Sequence, residues 1–155
     1  MSRRADEEPL ESFEEAVRAE DERLRPELER VAADPACYSG RLGAWSYLHR
    51  SRYAEQLERW FALFPREQFH FVKTEDLAHS PQAALDAVTR FLGLPDDGRD
   101  AYPSFHAGHY TPMSADTRSM LKEYFRPHNE RLYELVGIDF GWDAEVGRRP
   151  APVVG

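Results

Sequence analysis

Tyr53-Ala-Glu-Gln-Leu-Glu-Arg-Trp60-Phe-Ala-Leu-Phe-Pro65, then Phe69-His-Phe-Val-Lys73, then Pro81 to Leu94, read in order as helix, short strand and helix. Tyr53, Leu57, Trp60, Phe61 and Phe64 recur at i, i+4, i+7, i+8 and i+11, which predicts one apolar face on a helix over about 49–63 that Pro65 stops. Phe69, Phe71 and Val72 between Gln68 and Lys73 predict a strand. Ser80 as N-cap with Pro81 at N1 predicts the next start, Leu85, Val88, Phe91 and Leu92 its buried stripe, and Gly93 its C′ end. No second strand of comparable quality occurs elsewhere. A single strand cannot satisfy its own backbone groups and needs partner strands. The expected fold class is therefore α/β, a mostly helical piece with one clear strand whose remaining sheet lies elsewhere.

Toward the N-terminus, Ser12-Phe-Glu-Glu15 has the form of a capping box. An incomplete stripe of Phe13, Val17, Leu24, Leu28 and Val31 extends the helix to about residue 33, with Pro26 expected to kink or split it and Asp34-Pro35 to end it. Residues 35–48 read as an irregular loop carrying Tyr38, Trp45 and Tyr47 among glycines, aromatics that either plug a core edge or surround a ligand. Residues 95–112 form a long loop. Ser114 caps a further helix with Met120, Leu121, Tyr124 and Phe125 on its apolar face, which Pro127 should interrupt before it resumes to Gly137. Ile138-Asp-Phe-Gly-Trp142 should pack back as an extended tail. The expected organisation is a frayed N-terminus at 1–10, one partial domain at 11–143 and a disordered tail at 144–155.

The 155 residues suit one domain, and 41% hydrophobic with 12% aromatic content can build a core. The net charge of −8 argues against nucleic acid or an anionic membrane as partner, although Arg50 and Arg52, with Arg41 nearby, leave room for a local basic patch. One cysteine, Cys37, excludes an internal disulfide. The first eight residues have no apolar stretch after their charges, and no run approaches a membrane span, so a cytoplasmic chain is expected. Only two of the 20 basic residues are lysines, a bias that fits a GC-rich bacterial gene.

No phosphate-cradling Gly-rich loop with Lys and Ser/Thr, no G-x-G-x-x-G, no G-x-S-x-G and no cysteine cluster is present. His106-Ala-Gly-His109 lacks a third metal ligand, and Gly108 disfavours a regular helix there. The pair reads either as a contact to anionic oxygens, with the Gly108 amide approaching closely, or as a solvated loop. Glu75-Asp76, past the strand, reads more readily as acceptors for the amides of the next turn than as a catalytic pair. Arg126-Pro-His-Asn129 reads as a helix junction rather than a site.

The ordered series Tyr53-x3-Leu57-x2-Trp60-x3-Phe64-Pro, Gln68-Phe-x-Phe-Val, Glu75-Asp-Leu77, Pro81-x3-Leu85-x2-Val-x2-Phe91-Leu-Gly-Leu94 and Leu121-x2-Tyr-Phe-Arg-Pro-His-Asn129-x2-Leu132-x2-Leu-x-Gly137-x2-Phe140-Gly-Trp142 resembles the second half of the sulfotransferase domain of heparan-sulfate and bacterial enzymes. The resemblance covers roughly residues 10–143. It implies a P-loop-like fold with a central parallel sheet. It also implies transfer of a sulfuryl group from 3′-phosphoadenosine 5′-phosphosulfate (PAPS) to a hydroxyl or amine. In that family an N-terminal strand–loop–helix with Lys and Gly-Thr holds the phosphosulfate, an Arg and a Ser hold the 3′-phosphate, and the general base of many members lies in the same half. None of these positions has a counterpart here, so no catalytic residue is assigned. A late Lys-Gly-Arg loop of many members corresponds to Ser104–Pro112, which has neither lysine nor arginine; His106, Gly108, His109 and Tyr110 are the candidate cofactor contacts. Tyr38, Arg41, Trp45 and Tyr47 are the candidate acceptor contacts, of a kind that suits a sugar, a lipid or a phenol. Sulfuryl transfer, like phosphoryl transfer, depends on holding the donor in line and stabilising its charge. A chain without the lysine and amide cradle is therefore expected to be inactive alone and to need a missing N-terminal half. It would then come from a truncated gene, a split gene or a displaced start. The alternatives are a non-enzymatic helical binding module or a truncated relic with exposed strand edges.

Overall fold

The computed structural model describes residues 8–34, 36–95, 98 and 112–142. Among them are α1 (Phe13–Ala33), α2 (Gly40–Trp45), α3 (Tyr53–Phe61), α4 (Thr74–His79), α5 (Pro81–Phe91) and α6 (Ala115–Val136), with 3-10 turns at His49–Ser51 and Arg66–Gln68. The helices pack in pairs: α1 with α2, α3 with α6, α4 with α5. Of the frayed start expected at 1–10, residues 1–7 lie outside the described residues, as does the disordered tail expected at 144–155.

The expected helix ends are set by side-chain chemistry. Ser12 Oγ accepts from the Glu15 amide at 3.2 Å, and Ser114 Oγ accepts from the Thr117 amide at 3.1 Å, each filling one orphan donor of a first turn. Gly93 (φ 66°) closes α5: its amide bonds the Arg90 carbonyl at 3.2 Å, and the Leu94 amide bonds the Thr89 carbonyl at 2.9 Å. Gly137 (φ 72°) ends α6 in the same left-handed region, with its amide on the Tyr133 carbonyl at 2.8 Å. Ser80 precedes α5 with Pro81 in the first turn, but its hydroxyl makes no capping bond.

Five expectations are corrected. Neither Pro26 nor Pro127 breaks its helix: α1 and α6 run continuously through them. Both prolines are exposed, so water can take the carbonyl that each leaves unpaired. The loop at 35–48 contains α2, which begins where Ser39 Oγ accepts from the Leu42 amide at 3.2 Å. The helix expected over 49–63 is instead the 3-10 turn at 49–51 followed by α3. Glu75-Asp76 opens α4, where the two carboxylates occupy the first turn and favour the helix dipole.

The fifth correction concerns the strand. Residues 69–73 are extended at both ends (Phe69 φ −111°, ψ 129°; Lys73 φ −75°, ψ 128°), yet no β-ladder forms among the described residues. An extended segment becomes a strand only by exchanging hydrogen bonds with another, and here none is alongside. The described part of the chain is therefore mostly helical.

The core is small. Ala54 of α3 and Leu132 and Val136 of α6 are buried with Phe140 from the tail, against Leu57, Phe61, Phe71, Tyr133, Leu135 and Trp142. The tail packs back as expected: the Trp142 amide donates to Tyr133 Oη at 3.2 Å, and the Phe140 and Trp142 rings stack at 4.8 Å. Arg66 Nη2 donates to the Val136 carbonyl at 2.8 Å, pinning the turn after α3 to the end of α6.

Candidate functional site

The loop expected to meet an acceptor is held by two carboxylates of α1. Glu20 is 0% exposed, and it accepts three successive backbone amides, those of Tyr47 (2.8 Å), Leu48 (2.7 Å) and His49 (2.7 Å). Glu27, also buried, accepts from Ser39 Oγ at 2.8 Å and Arg41 Nη1 at 3.3 Å and pairs with Arg30. The Ser39 hydrogen bond, followed by the Arg30 charge and the Arg41 bond, holds the Glu27 carboxyl below its ordinary value. Sequence reasoning missed both residues. Their signal is spacing: Val17, Glu20, Leu24 and Glu27 are separated by three, four and three, the period of one helix face.

Of the four candidate acceptor contacts, three are drawn into this internal network. Arg41 pairs with Glu27. Trp45 lies between the Arg23 guanidinium, 4.2 Å from its ring centre, and that of Arg41 at 5.3 Å. Tyr47 Oη donates to Glu8 Oε2 at 3.0 Å, and Glu8 also pairs with Arg23 at 3.0 Å. Burial of the Tyr47 phenol and its bond to the Glu8 carboxylate raise its pKa. Burial works against the charged Glu8 carboxylate, but the bonds from Arg23, the Leu10 amide and Tyr47 outweigh it and lower its pKa. Tyr38 stands apart at 86% exposure. His106, Gly108, His109 and Tyr110, the candidate cofactor contacts, lie outside the described residues.

Each arginine of the basic patch expected from Arg41, Arg50 and Arg52 has a partner within the chain, although Arg41 and Arg50 are exposed. Arg50 donates to the Gly43 carbonyl, and Arg52 Nε stands 3.7 Å from Glu55 Oε1, which is also 3.5 Å from His128 Nδ1. Burial beside Arg52 lowers the His49 pKa. These side chains and the filled amides at 47–49 do not fit a cradle for the phosphate-rich donor PAPS, and no step through that donor follows from them.

A second region is open. An open cleft of about 300 Å³ runs between α3, residues 71–74, α6 and the tail, lined by Tyr53, Leu57, Trp60, Phe71, Val72, Leu132, Phe140 and Trp142 with Gln56, Lys73 and Thr74. Lys73 Nζ donates to the Phe140 carbonyl at 2.6 Å, so its charge is turned to the tail. Tyr53, Trp60 (53% exposed) and Phe64 show much of their rings to solvent, although they belong to the apolar face of the 49–64 pattern.

The sequence of these elements matches a family model, "Sulfotransferase domain", over residues 43–131. That match covers more than half of the chain, and the chain belongs to this family. Among curated relatives, it is 34% identical over 95 residues to membrane-associated sulfotransferase kil1 of Dictyostelium discoideum, covering 61% of this chain and 20% of that one. It is 34% identical over 87 residues to carbohydrate sulfotransferase 15 of Nototodarus sloanii, covering 49% and 55%. It is 29% identical over 123 residues to human heparan sulfate glucosamine 3-O-sulfotransferase 6, covering 64% and 36%. The chain thus spans between about a fifth and about half of the length of these relatives. Among the described residues no helix is long and apolar enough to cross a membrane.

Proposed function

We propose that this chain is the C-terminal part of a PAPS-dependent sulfotransferase, built on a P-loop-like parallel sheet that polypeptide beyond these residues completes. It transfers a sulfuryl group to a hydroxyl or amine of a small-molecule or glycan acceptor when so completed, and is inactive alone. The reading rests on one observation: the sequence matched by the sulfotransferase model contains an aromatic helix face and an extended segment that the described residues leave without a covering sheet. The donor cradle belongs to the completing part, with His106, Gly108, His109 and Tyr110 as this chain's contribution to it. Tyr38 is the acceptor contact of first choice, because Arg41, Trp45 and Tyr47 are committed to α1.

The test is transfer of radiolabelled sulfate from PAPS to heparan sulfate and to a phenol. The chain alone should give no transfer above the blank and no calorimetric signal with the desulfated donor, 3′-phosphoadenosine 5′-phosphate. Transfer should appear when the chain is joined to a sulfotransferase N-terminal part. Turnover by the chain alone contradicts the reading.

A further inference from the structure

Lys73 is a half-buried cation in the wall of an aromatic cleft, and the described residues give it no anion. Its Nζ uses one of three donors on the Phe140 carbonyl at 2.6 Å. Among the described residues no carboxylate stands within ion-pair distance of it. It is the one charged side chain in the lining of the cleft, in a chain whose net charge is −8. Glu75 and Asp76, next along the chain, take no part in that lining. Thr74 does, and among the described residues its hydroxyl makes no hydrogen bond. A partly desolvated ammonium beside an unused hydroxyl is a place where an anion is favoured.

Most of the remaining wall is aromatic. The Phe140 and Trp142 rings lie within 17° of parallel with centres 4.8 Å apart, and Tyr53 stands 6.2 Å from Trp142. Tyr53 is 46% exposed and Trp60 53%, so both keep ring surface for a ligand. The volume of about 300 Å³ lies at the lower end of small-molecule sites, which are likewise mostly apolar with a few placed polar groups. That size suits one ring or two fused rings. One ammonium and one hydroxyl match the two oxygens of a carboxylate. We propose that the cleft is a binding site for a planar aromatic carboxylate, whose ring lies against Tyr53, Trp60 and Trp142 and whose oxygens accept from Lys73 Nζ and Thr74 Oγ1. The site is separate from the candidate acceptor contacts at 38–47 and the candidate cofactor contacts at 106–110. It stands independently of the sulfotransferase reading, since its test needs neither donor nor transfer.

Calorimetric titration of the full chain at neutral pH with β-naphthoate, β-naphthol and acetate reads ring and charge separately. β-Naphthoate should bind saturably, one molecule per chain, with a Kd below about 1 mM. β-Naphthol should bind at least about tenfold more weakly, and acetate should show no saturation. Lys73→Met keeps the apolar stem and should weaken β-naphthoate about tenfold while changing β-naphthol less than about twofold. Trp60→Ala should weaken both aromatic ligands about tenfold. If Lys73→Met loses its tail contact and unfolds, the ligand comparison on the unsubstituted chain still decides. Equal affinity for β-naphthoate and β-naphthol overturns the proposal, because the cleft would then be apolar surface only. Absence of saturable binding overturns it, as does unchanged β-naphthoate binding by folded Lys73→Met. So does a β-naphthoate affinity that falls as chain concentration rises, which would make a second copy the occupant.

Discussion

The α1–α2 region and the α3–α6 region of this chain solve the same problem in opposite ways. Around α1, polar groups entering the interior find partners within the chain: Glu20 takes three amides, Glu27 takes Ser39 and Arg41, and Glu8 takes Arg23 and Tyr47. Around α3, apolar groups that belong inside remain half out, as Trp60, Tyr53 and Phe64 do, and the backbone at 70–72 has no ladder. One region is closed by its own residues; the other carries surfaces that the described residues leave open. The difference is chemical. A carboxylate can be satisfied by a local loop, whereas a strand needs another strand.

The sharpest way to break this contrast is to remove the latch of the closed region. Glu20→Ala leaves one buried and two half-buried amides without their acceptor and should cost about 3–5 kcal/mol, read as a lowered urea midpoint. Leu132→Ala, at a side chain 3% exposed between α3 and α6, should cost about 2–4 kcal/mol, since it opens a cavity in the one packed cluster of the open region. Gly137→Ala forces a side chain into φ 72° and should cost about 1 kcal/mol, although nothing crowds the added methyl. Trp60→Ala should change the stability of the chain alone by about 1 kcal/mol or less, because half the ring is already in water. A large loss there would mean that the aromatic face is already closed.

Acid titration sharpens the same comparison by group. The His49 pKa lies below its ordinary value, so its contribution is present above pH 6.5 and is lost as pH falls toward the lowered value. The depressed Glu27 and Glu8 carboxyls contribute above about 4.5 and lose that contribution as pH falls through their folded values. Urea midpoints against pH should therefore fall in two stages. His49→Gln should remove the upper one and Glu27→Gln should weaken the lower.

Helix ends were legible because they are local: Ser12, Ser114, Gly93 and Gly137 each act within one turn. The family was legible too, since the spacings that carry it are those of helix faces. The strand was not, because its identity depends on a neighbour the described residues do not supply. Pro26 and Pro127 misled because exposure lets water repair the broken bond. Glu20 and Glu27 escaped because a search for apolar periodicity skips acidic residues, even when they sit in phase with Val17 and Leu24. Three of the candidate acceptor residues are engaged within the chain, Arg41 by Glu27, Tyr47 by Glu8 and Trp45 by Arg23, partners that no loop-level pattern announces.

The contrast itself is tested most directly by amide exchange on the chain alone, residue by residue. Tyr47, Leu48 and His49, held by Glu20, should be strongly protected, while His70, Phe71 and Val72 exchange at close to the rate of an unstructured peptide. Equal protection at the two sites, independent of concentration, would contradict the account: the edge would then already be closed from within.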